Sequence, residues 1–500
     1  MQAVWRKILC IRLWNKSFRV WEMEEELYRQ YIGGSGLGIK ILHDMTSEQT
    51  NPLGAYNPII WMTGALTCTE TVSSERYHII ARSPLTRKIS ESSAGGQFGT
   101  TLKKSGYDGI IITGTSDVPI SILIDSDKVE FLPADDIWGK DTYAVDNYFH
   151  EKYGADSGIT SIGPAGEKLI PIAGIASGLQ NSRMAGRSGL GAVMGSKRIK
   201  AIVIKDNKNN DIKIANNSNF KELQSKLSLK NKTKSSVAGI ANGALAEASR
   251  NSALNKNYYC ASCFMECTRN SDNLFGKWGK NSNFGLEYEA MSLMGNICMI
   301  EDINAIEKAA DLCNRNGLDV VDVASSIAIA MKCYEMGYLT EADLEGIKAE
   351  WGSGDAFVKL TEKICTAEGI GKLLGNGAAF AIRRIGGAGM LGLHVKGLAV
   401  GYNKTQQLAK RDKDKYYKYF YDRLKKRNKY ENARKAMETH SYSAEITEIL
   451  NSLGICKFSV LGQGTLSELC DCYSAVTGKK MTTEELSQAA QKICTLKNIE

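Results

Sequence analysis

The amino-acid sequence predicts an α+β protein whose first part is rich in β-strands and whose remainder is mainly helical. All seven prolines lie between Pro52 and Pro171, and short β-branched runs closed by Gly, Pro, Asn or Asp are concentrated in the same part of the chain. Such runs are typical of strands joined by tight turns. From the polar stretch that begins at Asp206 onward, apolar residues recur at three- and four-residue spacing, which is typical of helices.

Six runs in the β-rich part are predicted to be strands. Each is short, apolar and bounded by turn-forming residues, so each fits a buried strand of a sheet. They are YIGGSGLGIKIL (31–42), NPIIWMTG (57–64), YHIIARSPL (77–85), GIIITG (109–114), ISILI (120–124) and KAIVIK (200–205).

The size and composition are those of a soluble globular protein with two or three domains. The chain has 500 residues, of which 43% are hydrophobic and 24% charged. No apolar run is long enough for a membrane span, and the N-terminal MQAVWRKILCIRLW is too charged for a signal peptide. We therefore expect a cytoplasmic protein whose 13 cysteines are metal ligands or ordinary buried thiols rather than disulfides.

The net charge of +8 is mild, but it is concentrated in one stretch. Residues Lys404 to Lys435 contain thirteen Lys or Arg against four acidic residues, with tyrosines among them. A solvated helix face is the favoured interpretation, and a docking patch for an acidic partner protein is the alternative. Nucleic acid is not expected to bind, because no binding motif accompanies the patch.

The cysteines of CASCFMEC, at positions 260, 263 and 267, are the most informative residues of the chain, and Cys456 stands alone far downstream in LGICKF. Three cysteines at this spacing can turn three thiolates toward one point. Thiolates are the usual ligands of iron–sulfur clusters, and a [4Fe–4S] cluster needs four of them. A zinc site or a redox pair would suit a CxxC equally well, so the spacing alone leaves all three open.

A short internal repeat lies in the helical part. Apolar residues occupy one face of a predicted helix over 303–316 and of another over 444–453, and each helix stops at a glycine, Gly317 or Gly454. Both stops read Asn-x-x-Gly-(Leu/Ile)-(Asp/Cys), from Asn314 and from Asn451. Glycine suits the left-handed position that ends a helix. Either copy alone would be an ordinary helix end, whereas two matched copies favour paired contacts to a cofactor.

These residues resemble the aldehyde ferredoxin oxidoreductase family of tungsten or molybdenum bis-pterin enzymes. The match rests on many motifs in the family's order rather than on any one of them. They are YIGGSGLG, NPLGAYNPIIWMTGALT, SERYHIIARSPLT, SAGGQFGTTLKKSGYDGIIITG, IWGKDT, IGPAGEKLIPIA, AGRSGLGAVMGSKRIKAI, the cysteine motif, GLEYEAMSLMG and both helix-end repeats.

The resemblance implies three domains. Residues 1–205 would form the β-rich base that binds the pterins, 206–392 a helical domain with three cluster cysteines and the first pterin motif, and 393–500 a helical domain with the second motif and the fourth cysteine. The [4Fe–4S] ligands would be Cys260, Cys263, Cys267 and Cys456. The pterin contacts would be Arg76, Gly95, Gly96, Arg187, Asn314, Gly317, Leu318, Asp319, Asn451, Gly454 and Ile455. Mg²⁺ is a candidate bridge between the pterin phosphates.

The activity implied by the resemblance is the oxidation of an aldehyde to a carboxylic acid. Water would add to the carbonyl carbon while the metal serves as Lewis acid and electron acceptor, and Glu287 of GLEYEA would assist proton transfer. Electrons would leave through the cluster to ferredoxin or a similar acidic carrier. A homodimer or a partner subunit is expected.

The chain departs from the family pattern in ways that leave alternatives open. Both helix-end motifs begin with asparagine where a carboxylate is usual, and a histidine-bearing segment is missing after Gly401. Neither His394 nor His440 is assigned a role. One alternative is a cofactor-binding electron-transfer subunit or pseudo-enzyme that has lost the catalytic segment. The other is a family member with a different reaction, such as reduction of an activated aromatic ring.

Overall fold

Two six-stranded sheets form the N-terminal part of the protein. The computed structural model describes residues 1–71, 73–178, 183–205, 211–232, 254–258, 268–271, 276–279, 285–287, 294–295, 297–386, 394–395, 398–399, 444–457 and 465–498. The first sheet has the order β2-β1-β6-β3-β4-β5 and the second β11-β10-β9-β12-β7-β8. Each sheet is mixed, with one parallel pair (β1 with β6, β7 with β12) among antiparallel neighbours.

The strands of these sheets are short. They are β1 (Lys7–Arg12), β2 (Ser17–Glu22), β3 (Ile59–Thr63), β4 (Tyr77–Arg82), β5 (Ile89–Ala94), β6 (Gly109–Thr113), β7 (Ile120–Asp125), β8 (Lys128–Pro133), β9 (Gly158–Ser161), β10 (Ile175–Ser177), β11 (Arg183–Ala185) and β12 (Ile199–Ile204). A further three-stranded sheet contains β13 (Leu254–Tyr258), β14 (Thr268–Ser271) and β15 (Gly285–Glu287), and a small hairpin contains β16 (His394–Val395) and β17 (Leu398–Ala399).

Helices cover the sheets and dominate the rest of the described chain. They are α1 (Glu25–Tyr31), α2 (Gly34–Met45), α3 (Gln97–Lys104), α4 (Thr142–Tyr153), α5 (Pro164–Glu167), α6 (Leu190–Ser196), α7 (Asn217–Lys232), α8 (Ile303–Asn316), α9 (Val320–Glu335), α10 (Gly354–Thr366), α11 (Ile370–Leu374), α12 (Ala378–Arg384), α13 (Ala444–Leu453), α14 (Leu466–Thr477) and α15 (Thr483–Asn498).

The two sheets pack face to face, and alternation along each strand divides the core into layers. In β3, Trp61 points into the core between the sheets, while its neighbours Ile60 and Met62 point to the opposite face. That outer face of the first sheet is covered by α1, α2 and the C-terminal helices α13–α15. Helix α4 covers the outer face of the second sheet through Val145 and Phe149.

Helices α8 to α12 surround a separate apolar core, which also takes in Ile172 and Ala173 from the β-rich part. The segment that leads into α7 packs elsewhere. Ala215 and Asn216 donate backbone hydrogen bonds to the end of α14, and Phe220 is buried in the layer of the C-terminal helices. The start of the segment 206–392 is therefore joined to the C-terminal helices. No helix of the described residues is long and apolar enough to cross a membrane.

The predicted fold class is confirmed, and five of the six predicted strands form, as β3, β4, β6, β7 and β12. The prediction for YIGGSGLGIKIL was wrong, since most of this run lies in helix α2. Its glycines let the helix approach other elements closely. A Cβ atom at Gly34 would lie 2.6 Å from the carbonyl oxygen of Ser452, and one at Gly38 would lie 2.7 Å from Cδ1 of Ile80. The glycines therefore serve close helix packing rather than strand turns.

Substitution of Gly36 tests this packing. A Cβ atom there would lie 2.4 Å from Cδ1 of Ile493 and 2.7 Å from Oγ of Ser452. Alanine is the better helix former by about 1 kcal/mol, so crowding and helix propensity predict opposite signs. We expect Gly36→Ala to lower the free energy of unfolding by about 1–3 kcal/mol, measured by chemical denaturation.

Gly386→Ala is the matched control, because Gly386 is exposed and nothing lies within 4 Å of a Cβ atom at that position. We expect no loss of stability for this variant. A Gly36→Ala protein as stable as the parent would contradict the close approach of α2 to the C-terminal helices.

Candidate functional site

The two predicted helix ends have the same backbone geometry. Gly317 follows α8 with φ of 72°, and Gly454 follows α13 with φ of 82°, so both are left-handed. In each case the next residue donates its N–H back into the last turn, which is the Schellman arrangement. These bonds join Leu318 N to Cys313 O (2.8 Å) and Ile455 N to Leu450 O (2.9 Å). The internal repeat predicted from the sequence is thus a structural repeat.

The end of α8 lies against the second sheet's side of the β-rich part. Gly174 donates its N–H to the carbonyl oxygen of Gly317 at 2.8 Å, and Asp319 donates its N–H to Ile172 at 3.0 Å. A Cβ atom at Gly163 would lie 2.4 Å from the carbonyl carbon of Asn316. Position 163 therefore requires glycine, because a side chain would separate its backbone from that of Asn316.

The end of α13 lies against the first sheet in the same way. Leu66 donates its N–H to Leu453 at 3.1 Å, and Arg76 donates its N–H to the carbonyl oxygen of Gly454 at 3.0 Å. A Cβ atom at Gly64 would lie 2.2 Å from the backbone nitrogen of Gly454. Gly64 and Gly163 thus have the same role, one under each helix end.

Strand β5 lies between the contacts made by the ends of α8 and α13. It forms hydrogen bonds with residues on both sides. It is the edge strand of the first sheet and contacts β11, the edge strand of the second. Glu91 accepts a hydrogen bond from Nδ2 of Asn451 at 3.1 Å, and Ser92 accepts one from the backbone N–H of Arg187 at 3.0 Å. Ser93 accepts from the guanidinium of Arg76 at 3.2 Å. Three residues predicted from the sequence, Asn451, Arg187 and Arg76, therefore meet at one strand.

Arg76 also contacts the fourth predicted cluster cysteine. Its Nη2 lies 3.7 Å from Sγ of Cys456, and the backbone N–H of Cys456 donates to Ser73 at 2.9 Å. Cys456 is half-buried. Because metals bind the thiolate form of cysteine, a guanidinium beside the sulfur is suited to the charge of a ligating thiolate.

Arg187 lies beside the last residue of the first helix-end motif. Its Nε is 3.7 Å from Oδ2 of Asp319, while Oδ1 of Asp319 accepts from the N–H of Val321 and caps α9. Burial raises the pKa of Asp319 well above its ordinary value, Arg187 opposes that rise and the nearby Asp322 adds to it. Asp319 Oδ2 has no hydrogen-bond partner among the described residues.

Gly95 and Gly96 follow β5 directly and are buried. Gly96 has φ of 91° and leads into α3. A Cβ atom there would lie 3.4 Å from Cγ of Arg183, a buried arginine of β11. The turn thus lies beside Arg183, which was not predicted from the sequence.

A buried charge cluster stands behind Asn451. Nζ of Lys497 lies 2.8 Å from Oε1 of Glu91 and 2.5 Å from Oε1 of Glu448, and Nδ1 of His78 lies 3.5 Å from Oε2 of Glu91. Burial favours the neutral form of Glu91, but Lys497 and His78 outweigh it and hold its pKa well below the ordinary value. Burial and the charge of Glu91 raise the pKa of Glu448 to about 7.

Sequence reasoning missed this cluster and the polar residues of β5. Glu91, Ser92 and Ser93 stand in the run ISESSA, and polar residues on a strand buried in a sheet were the available signal. Lys497 gave no signal, because a lysine in the last turn of a C-terminal helix is ordinary.

The three cysteines at 260, 263 and 267 lie outside the described residues, as do His440 and the basic stretch from Lys404 to Lys435. The described strands on either side of the cysteine motif pair with each other, with Tyr258 opposite Thr268. The backbone of Glu287 in turn pairs with Thr268. Among the described residues, no group of three His, Cys, Asp or Glu side chains could hold a metal ion.

Comparison with known protein families finds matches over nearly the whole chain. Residues 8–206 match the model of the aldehyde ferredoxin oxidoreductase N-terminal domain, and residues 208–499 match the model of domains 2 and 3 of the same enzymes. The chain belongs to the aldehyde ferredoxin oxidoreductase family. It is thus an oxidoreductase of a family of tungsten- or molybdenum-pterin enzymes.

Two relatives match nearly the whole of this chain. A tungsten-containing aldehyde ferredoxin oxidoreductase of Pyrococcus furiosus is 28% identical over 99% of this chain and 88% of its own. The WOR-like subunit of an aliphatic sulfonate oxidoreductase from the same organism is 27% identical over 100% of this chain and 86% of its own. Among solved structures, the BamBC active-site complex of benzoyl coenzyme A reductase shares the fold, with a TM-score of 0.81, 20% identity, and 99% and 88% of the two chains covered.

Glu75, which precedes Arg76, gives the site a testable pH dependence. Its side chain is buried, and this burial raises its pKa to about 8, with Lys104 opposing the rise. Between pH 4.5 and 8 the folded protein therefore binds a proton that the unfolded chain releases, so this group's contribution to stability is lost as pH rises through that range. We expect Glu75→Gln to remove the loss, which makes the variant more stable than the parent at pH 8 by up to about 5 kcal/mol.

The measurement is chemical denaturation at a series of pH values. Glu22→Gln, at an exposed position of β2, is the control and should leave the pH profile unchanged. Parallel pH profiles for the parent and Glu75→Gln would show that the carboxyl is not perturbed by burial.

Proposed function

We propose that this protein is a tungsten- or molybdenum-pterin oxidoreductase that oxidises an aldehyde to a carboxylic acid and passes electrons through a [4Fe–4S] cluster to ferredoxin or a similar acidic carrier. The observation that carries the proposal is the pair of matched helix ends on either side of β5. They give two equivalent cofactor contacts, and one of them leads directly to Cys456. We take the chain to be divided at residues 205 and 392, with the β-rich domain as the base of the site.

The residues at the helix ends fit a pair of pterins. Pterin rings carry both hydrogen-bond donors and acceptors. Asp319 offers a buried carboxyl oxygen without a hydrogen-bond partner among the described residues, which suits a polar group of the ring. One pterin would be held by Asn314, Gly317, Leu318 and Asp319, and the other by Asn451, Gly454 and Ile455. The left-handed glycines would fix the backbone of the two helix ends, because they pack against Gly163 and Gly64.

The two arginines and the glycine turn fit the phosphate groups of such cofactors. Guanidinium groups bind phosphate through two parallel hydrogen bonds, and glycine lets backbone N–H groups come close to an anion. We assign Arg76, Arg187, Gly95 and Gly96 to this role. Mg²⁺ between the phosphates remains a candidate.

We assign Cys456, together with Cys260, Cys263 and Cys267, to the [4Fe–4S] cluster. When bound, the metal would supply Lewis acidity and take up two electrons, and the cluster would pass them on singly. Cys456 is the last residue of the second helix-end motif and lies beside Arg76. Cluster and pterin would therefore be in contact through this segment of chain.

Glu287 is our candidate for proton transfer. It would take a proton from the water molecule that adds to the aldehyde carbonyl. Its backbone is paired with Thr268, which follows Cys267 in the sequence. Glu287 is thus tied to the segment that we assign to the cluster.

A different substrate class is the second candidate, because a relative that matches the whole chain is named as part of an aliphatic sulfonate oxidoreductase. The same cofactors would then serve another oxidation, or a reduction such as that of an activated aromatic ring. The name of that relative also favours action together with a partner subunit. A cofactor-binding electron-transfer subunit without catalysis is the remaining alternative.

The decisive test is the metal and pterin content of the protein purified without oxygen, followed by aldehyde-dependent reduction of a viologen dye. We expect one tungsten or molybdenum and about four irons per chain, and turnover of aldehydes. Bound metal without aldehyde turnover would favour the second substrate class. About four irons per chain without tungsten, molybdenum or pterin would overturn the proposed enzyme activity and favour an electron-transfer subunit.

Cys456→Ser tests the proposed cluster. Loss of one thiolate ligand should lower the iron content and abolish electron transfer to the dye. Cys10→Ser is the control, since Cys10 is half-buried like Cys456 but lies on β1, far along the chain from the motif. Unchanged iron in Cys456→Ser would remove Cys456 from the ligand set.

A further inference from the structure

We propose that Glu91 is a positioning residue for the second pterin motif. It fixes the orientation of the Asn451 side-chain amide, so that the amide oxygen rather than the nitrogen is presented to the pterin. This inference rests on the proposed function. It gives residues of β5 and of the C-terminal helix α15 a role in cofactor binding, although these residues lie outside the helix-end motif.

The geometry of Asn451 carries the first step. An asparagine amide has an oxygen that accepts and a nitrogen that donates, and rotation by half a turn exchanges them. Nδ2 of Asn451 donates to Oε1 of Glu91 at 3.1 Å. A carboxylate has no proton to donate to the amide oxygen, so it selects the orientation with nitrogen toward Glu91. The amide oxygen of Asn451 is then turned away from Glu91 as an acceptor.

Lys497 carries the second step, because it keeps Glu91 charged in a buried place. Its ammonium lies 2.8 Å from Oε1 of Glu91, so the same oxygen accepts from Lys497 and from Asn451. Glu448, one turn before Asn451 on α13, binds the other side of the ammonium at 2.5 Å. His78 on β4 also faces the cluster, 3.5 Å from Oε2 of Glu91, and Cys494 on α15 lies near Glu448 and Lys497.

Burial makes this contact an effective constraint. Glu448 is 4% exposed, His78 is 1% exposed, and the side chain of Glu91 is 12% exposed, so water competes little for these bonds. Hydrogen bonds to charged groups are stronger than neutral ones when water is excluded. The cluster therefore ties β5, α13 and α15 together at the residue that begins the pterin motif.

The test is a charge swap across the Glu91–Asn451 contact. Glu91→Gln removes the carboxylate that selects the amide orientation. Asn451→Asp alone sets two carboxylates against each other at the 3.1 Å contact. The double variant Glu91→Gln with Asn451→Asp restores one acid and one amide, and it keeps the charge of the cluster beside Lys497, so it is expected to fold. Glu445→Gln is the matched control, because Glu445 also joins α13 to α15, through Gln491, without touching Asn451.

The readouts are the rate of pterin release on dilution, the pterin content per chain and the midpoint of chemical denaturation. We expect each single variant to release pterin about tenfold faster or more, the double variant to recover most of the retention, and Glu445→Gln to match the parent. A purely structural contact would move the denaturation midpoint and leave release unchanged, and that result would overturn the inference. So would a double variant that retains pterin no better than the single variants.

Failure of this inference is distinguishable from failure of the proposed function. If the parent protein, expressed with both metals and with cofactor synthesis, contains no pterin, both are overturned. If the parent contains pterin and Glu91→Gln retains it equally well, only the role of Glu91 is overturned.

Discussion

The site depends on one constraint, which is that two helix ends approach strand-end backbone too closely for any side chain. At Gly64 and Gly163 the distances leave no room even for a methyl group, and each contact lies at or beside a left-handed glycine that ends a helix, Gly454 or Gly317. Interiors pack at nearly the density of organic crystals, so such an approach cannot be relaxed locally. It fixes the two helix ends relative to the sheets and places β5 between them.

Strand β5 satisfies that arrangement with polar residues where a buried strand ordinarily carries apolar ones. Buried polar groups cost free energy unless they are hydrogen-bonded, and buried charges cost more unless they are paired. Here Ser92, Ser93 and Glu91 each bond to a residue of the predicted cofactor site, and Lys497 compensates the charge of Glu91. The polar composition of β5 is thus explained by what lies beside it.

The sequence predicted the parts of this arrangement that are local in the chain. Strand runs, helix ends and the left-handed glycines follow from patterns a few residues long, and they formed as expected, whereas the glycine-rich run of α2 did not because helix-packing glycines and turn glycines look alike. The Glu91–Asn451 contact joins residues 360 positions apart, and no local pattern encodes it. The ligand set from Cys260 to Cys267, which lies outside the described residues, stays a prediction.

The layer order of the fold has a consequence for how the protein is made. The outer face of the first sheet is covered directly by α2, and α13 and α15 pack on α2 from the C-terminal part of the sequence. During synthesis on the ribosome, the apolar surface of α2 that these helices cover stays exposed until residues 444–498 have emerged. Until then this surface is accessible to chaperones.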